Sequence, residues 1–85
     1  MTDIIYKFSA SWCNPCKQLS KTLEGADLGC EVVEIDIDSN IELCEKYNIR
    51  GVPTLVFLGS DNYLIGNSSI PKIKEWIAEC RSQFN

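Results

Sequence analysis

Ile4-Ile5-Tyr6-Lys7-Phe8, running through Ser9-Ala10-Ser11 into Trp12-Cys13-Asn14-Pro15-Cys16, is the segment from which the rest of the chain can be placed. Its first five residues are β-branched or aromatic with a single charge, which suits a short central strand covered on both faces. The small residues that follow end the strand. Pro15 fits the first turn of a helix, and Leu19 and Leu23 continue it at the spacing of a buried stripe. Gly25 and then Gly29 stop that helix. Two cysteines therefore fall at a strand-to-helix junction.

Working outward, Val32-Val33-Glu34-Ile35-Asp36-Ile37 reads as a second strand, with Val33, Ile35 and Ile37 on one face. Ser39-Asn40-Ile41-Glu42 has the form of a capping box and opens a short helix in which Leu43 and Tyr47 share a face. Gly51-Val52-Pro53 is a turn, and Thr54-Leu55-Val56-Phe57-Leu58 is apolar enough to demand a buried strand. Gly59-Ser60-Asp61-Asn62 makes a hairpin loop into Tyr63-Leu64-Ile65, so the last two strands are antiparallel neighbours. Ser69 caps a final helix with Pro71 in its first turn, and Ile70, Ile73, Ile77, Cys80 and Phe84 form its apolar seam. Trp76 packs around that helix. The order β-α-β-α-β-β-α predicts an α/β domain with a four-stranded mixed sheet flanked by three helices, its two β-α-β steps crossing right-handed.

Composition removes several classes of function. At 85 residues, without linker or repeat, the chain forms one domain spanning residues 1–85. A hydrophobic fraction of 45% with 24% charged residues fits a globular protein and excludes a disordered or fibrous one. The net charge of −4, with no Lys/Arg cluster, argues against nucleic acid as a partner. No apolar run reaches the ~20 residues of a membrane span, and Met1-Thr2-Asp3 does not begin a signal peptide, so no membrane association and a cytoplasmic location are expected. Five cysteines is an odd count for a stapled secreted scaffold, so the thiols are expected to be reduced, catalytic or buried.

A Cys-x-x-Cys pair at the start of a helix sets two sulfurs about one turn apart, within reach of disulfide formation. Unpaired N–H groups and the helix dipole favour negative charge there, so the Cys13 thiol is expected below its free pKa of roughly 8.5. Cys13 is then the attacking sulfur, and Cys16, deeper in the helix, releases the substrate from the mixed disulfide. Half a zinc site is the plainer alternative, but there is no histidine and no second Cys-x-x-Cys, so no metal and no cofactor are expected. Cys30, Cys44 and Cys80 are read as small buried hydrophobes.

Ser11-Trp12-Cys13-Asn14-Pro15-Cys16-Lys17 resembles the thioredoxin active site, which usually has glycine where Asn14 stands, and Tyr47-Asn48-Ile49-Arg50-Gly51-Val52-Pro53-Thr54 resembles that family's second signature. The resemblance runs from about Ile4 to the last helix; the first strand and helix of full-length thioredoxins are missing, which brings the chain near glutaredoxin size. It implies a thioredoxin-like fold and a cis Val52–Pro53 bond beside Cys13, with the Val52 backbone pairing with an extended substrate. It also implies substrate-contacting roles for Trp12 and for Gly66, whose plainer alternative is a glycine that merely ends a strand.

Three functions compete. The first is a monomeric electron carrier that reduces protein disulfides and is itself reduced by a thioredoxin reductase. The second is a glutaredoxin-like carrier using the glutathione system, suggested by chain length and by Gly66-Asn67-Ser68-Ser69 but opposed by Trp12 and Asn14-Pro15. The third is a non-catalytic binding module on the same fold. Lys7 and Glu34 stand where the thioredoxin pattern carries an aspartate and a lysine, so the charges are exchanged. They are expected either to pair and tune the thiols, with Glu34 taking the Cys16 proton, or to separate, with Lys7 snorkelling to solvent and Glu34 on an exposed face.

Overall fold

β1 (Asp3–Ser9) is the central strand that its composition requires, paired on one side with β2 (Cys30–Asp36) and on the other with β3 (Thr54–Phe57). The computed structural model describes residues 3–60 and 62–83, so the expectations placed on Met1, Thr2, Asp61 and Phe84 lie outside them. The remaining elements are α1 (Asn14–Leu23), α2 (Ile41–Lys46), β4 (Tyr63–Ile65) and α3 (Ile70–Ser82). The sheet order is β2-β1-β3-β4, with β1 and β2 parallel and the other two pairings antiparallel. This is the mixed four-stranded sheet with three helices that the sequence predicts.

Strand alternation divides the core into two layers. Ile5 joins Leu55 and Phe57 under Leu19 of α1 and Ile73, Trp76, Ile77 and Cys80 of α3. Phe8, Ile35 and Val56 form the other layer, with Leu43 of α2 and Tyr47 against it. Trp76 meets the Phe57 ring edge-on at 6.2 Å and completes the α3 seam. Lys7 lies between Ile5 and Ser9 on the layer facing α1, and its register partner on β2 is Glu34.

Four expectations about the fold are corrected. The Ser39-to-Glu42 capping box does not form: Asn40 is the N-cap and makes no side-chain cap bond. The cause is Asp36, whose carboxylate accepts from the Asp38 N–H at 3.0 Å and the Ser39 hydroxyl at 3.5 Å, while its carbonyl takes the Asn40 amide at 2.9 Å. Nor are there two crossovers of the expected kind. The β1-α1-β2 unit joins parallel neighbours, but β3 runs antiparallel to β1, hence to β2, so the right-handed rule does not govern the second step. Finally, Cys30 and Cys44 are only half-buried, and Cys80 alone of the three free thiols is a fully buried hydrophobe. β2 also begins two residues before Val32, because Cys30 and Glu31 pair with Asp3 and Ile4.

Candidate active site

The turn after β1 brings Cys13 to the N-cap of α1 in extended conformation (φ −95°, ψ 107°), with a proline in the first turn of the helix. Its sulfur is bonded to that of Cys16, the two Cα atoms standing 5.2 Å apart, and also accepts the Cys16 backbone N–H at 3.2 Å. A helix N-terminus thus directs a donor at the Cys13 sulfur, the arrangement that stabilises a thiolate. Exposure does not separate the two sulfurs as the sequence suggests: Cys13 is 5% and Cys16 2% exposed, so both are buried in the disulfide form. Their surroundings differ instead.

On the Cys13 side, the sulfur lies 3.7 Å from the Val52 carbonyl oxygen, and the Val52–Pro53 bond is cis. Gly66 follows β4 with φ +92°, a conformation that disfavours a side chain, and its N–H donates to the Pro53 carbonyl at 2.9 Å. It ends a strand and braces the proline at once. Trp12 is 65% exposed, its indole N–H held by Asp38 at 3.2 Å. A groove of about 600 Å³ runs from Trp12 past Ile37, Ile41, Ile49 and Val52.

On the Cys16 side, a separate cleft of about 440 Å³ is lined by Ser9, Cys16, Lys17, Ser20, Glu34 and Asp36. Lys7, only 3% exposed, lines an adjoining cleft that shares Ser20 and Glu34 with this one. The ammonium donates to Ser20 Oγ at 2.6 Å and to Glu34 Oε1 at 3.1 Å, and the same carboxylate oxygen accepts from Ser9 at 3.0 Å. Each alternative for this pair is half correct: the charges do meet and Lys7 does not snorkel, yet the Glu34 side chain is 64% exposed. The bonds from Lys7 and then Ser9 hold the Glu34 carboxyl below its ordinary range.

All eight residues singled out from the sequence fall into this neighbourhood. Sequence reasoning missed Asp38, Ser9 and Ser20. Ser20 stands one helical turn after Cys16, and Ser9 shares a strand face with Lys7, so spacing alone would have nominated both. Burial is the leading influence raising the thiol pKa of Cys30, Cys44 and Cys80. Among the described residues, no group of ligating side chains could hold a metal ion, and no helix is long and apolar enough to cross a membrane.

A bonded Cys-x-x-Cys pair capping a helix over a mixed sheet, beside a cis-proline, defines the class of thiol-disulfide oxidoreductases. The Thioredoxin family model matches residues 1–79. Thioredoxin-1 of Drosophila yakuba is 35% identical over 75 residues, covering 84% of this chain and 70% of that one. The thioredoxin of Bacillus subtilis is 36% identical over 80 residues, covering 89% and 76%. The X-ray structure of Fasciola hepatica thioredoxin superposes with a TM-score of 0.79 at 27% identity, covering 93% of this chain and 81% of that one. The chain belongs to the thioredoxin family, and with its cysteine pair this supports protein-disulfide oxidoreductase activity.

Proposed function

We propose that the chain, acting as a single domain and a monomer, reduces protein disulfides by dithiol exchange. Cys13 attacks as the thiolate, a mixed disulfide forms, and Cys16 displaces the reduced substrate while closing the Cys13–Cys16 bond. The observation that carries this reading is the place of Cys13 at the N-cap of α1, its sulfur already accepting the Cys16 N–H at 3.2 Å. Trp12, the Val52 backbone, Pro53 and Gly66 form the surface on which an extended substrate lies, its apolar side chains entering the Trp12 groove. Lys7 favours thiolate in the pair, and Glu34 offers the Cys16 proton an exit through water in the polar cleft.

Electrons come from a thioredoxin reductase, and the protein works as an electron carrier in the reducing cytoplasm. A glutathione-dependent carrier is less well supported, because the loop that suggested it is engaged internally: Gly66 bonds Pro53, Asn67 bonds Gln18, and Ser69 caps α3. The test compares re-reduction of the oxidised protein by NADPH with thioredoxin reductase against glutathione with its reductase, followed by insulin reduction. Faster turnover with thioredoxin reductase, abolished by Cys13→Ser, is expected. Preferential reduction by glutathione would transfer the chain to the second reading. Insulin reduction that is independent of Cys13 would make it a binding module.

A further inference from the structure

A lysine buried in a central strand is costly, and a general bias toward thiolate in the pair does not say which sulfur it serves. Its position suggests a use. The ammonium sits 2.6 Å from Ser20 Oγ, and Ser20 is on the face of α1 that carries Cys16, one turn on. Ser20 and Cys16 line the same cleft, whose wall Glu34 completes. The charged groups lining the cleft with Cys16 are Lys17 from α1 and Glu34 and Asp36 from β2; Lys7 from β1 and Glu24 at the C-cap of α1 line the adjoining cleft, which shares Ser20 and Glu34 with it. Lys17, Asp36 and Glu24 are exposed, and the Glu34 side chain is 64% exposed, so water screens them. Lys7 alone is walled off from solvent, and its field reaches the sulfur least attenuated.

We propose that Lys7 is a positioning residue for the closing step: its buried ammonium, hydrogen-bonded to Ser20 one helical turn along α1 from Cys16, stabilises the Cys16 thiolate that expels the substrate. Glu34 is the counter-ion that holds the ammonium in place and partly offsets its field. The inference rests on the reading of Cys13 as nucleophile and Cys16 as resolving thiol. In the step, the Cys16 thiol gives its proton to water in the cleft. The resulting thiolate attacks the Cys13 sulfur of the mixed disulfide, the Cys13–Cys16 bond forms, and the substrate sulfur leaves with the electron pair. Two thiols of the protein are oxidised as one substrate disulfide is reduced.

Stopped-flow mixing of the reduced protein with less than one equivalent of dithiobis(nitrobenzoate) separates the two steps. The first release of nitrothiobenzoate reports Cys13 attack, and the second, first-order release reports closure by Cys16. The midpoint of the second phase against pH is the Cys16 ionisation, an equilibrium quantity indifferent to which group shuttles the proton. Lys7→Met is expected to raise that midpoint by about one pH unit, slowing closure near neutral pH about tenfold. Lys7→Arg, which keeps the charge, is expected to hold it near the wild-type value, and Glu34→Gln to lower it. An unmoved midpoint in Lys7→Met, or an equal rise in Lys7→Arg and Lys7→Met, overturns the inference. Should Lys7→Met fail to fold, Glu34→Gln decides, and a midpoint there that stays or rises counts against it. Loss of the Cys13-dependent first phase in the unsubstituted protein would instead defeat the underlying reading.

Discussion

Removing Glu34 should cost more than removing its partner Lys7, although Glu34 is the more exposed of the two. The asymmetry comes from what each deletion leaves behind. Breaking a fully buried pair by deleting one member costs about 3–5 kcal/mol, because an uncompensated charge stays buried. A fully exposed pair contributes about 0–1 kcal/mol. Here the lysine side chain is 4% exposed and the glutamate 64%, so the pair lies between the limits. Glu34→Ala strands the ammonium with Ser20 and cleft water, for an expected loss of about 1–2 kcal/mol. Lys7→Met removes the buried charge and fills its channel with an apolar chain of similar length, which should change stability by no more than about 1 kcal/mol in either direction. With the charge gone, Glu34→Ala acts as an ordinary surface substitution and should cost less than about 0.5 kcal/mol. Urea unfolding of the oxidised protein and its three variants measures the cycle, with a coupling of about 1 kcal/mol expected. In a domain of this size each kcal/mol moves the melting temperature by about 4–8 °C, well above error. Equal costs of Glu34→Ala in both backgrounds would refute the reasoning.

Cys16→Ser should accumulate mixed disulfides through Cys13, seen as adducts by mass spectrometry under non-reducing conditions; adducts appearing only in Cys13→Ser would reverse the roles. Iodoacetamide at neutral pH should alkylate Cys13 of the reduced protein well before Cys30, Cys44 or Cys80, whose thiols burial raises, and peptide mapping of a time course checks the order. The folded pKa of Glu34 is depressed, so its stabilisation is complete above the unfolded value of about 4.3 and disappears as pH falls through the folded value. The stability gap between the wild type and Glu34→Gln should therefore close on acidification below about pH 4.

Local pattern accounts for what the sequence revealed. Ile4 to Phe8 could be placed at the sheet centre because a near-continuous β-branched and aromatic run has few other homes, and Val33, Ile35 and Ile37 declared a one-sided strand by alternation. Cys13 and Cys16 were legible because the junction itself is a local feature. The direction of the second crossover was not, since the antiparallel pairing of β3 with β1 is a tertiary choice, whereas the β3–β4 hairpin could be read from its loop. Asp36 defeated the capping box by engaging both the Ser39 hydroxyl and the Ser39 backbone N–H, a contest that propensity does not score. The outcome at Lys7 and Glu34 depended on register: both alternatives fit the composition, and only the pairing of β1 with β2 sets the two residues side by side.

The disulfide has two doors. The groove beneath Trp12 and the cleft beneath Cys16 share no lining residue; the first gathers Trp12, Ile37, Ile41, Ile49 and Val52, while the second is hydroxylic and charged. A polypeptide seated in the first dries that flank without sealing the second. Under the proposed exchange, covalent traffic with a partner and proton traffic with the medium would run on separate routes, and a complex would complete its exchange with the partner still in place.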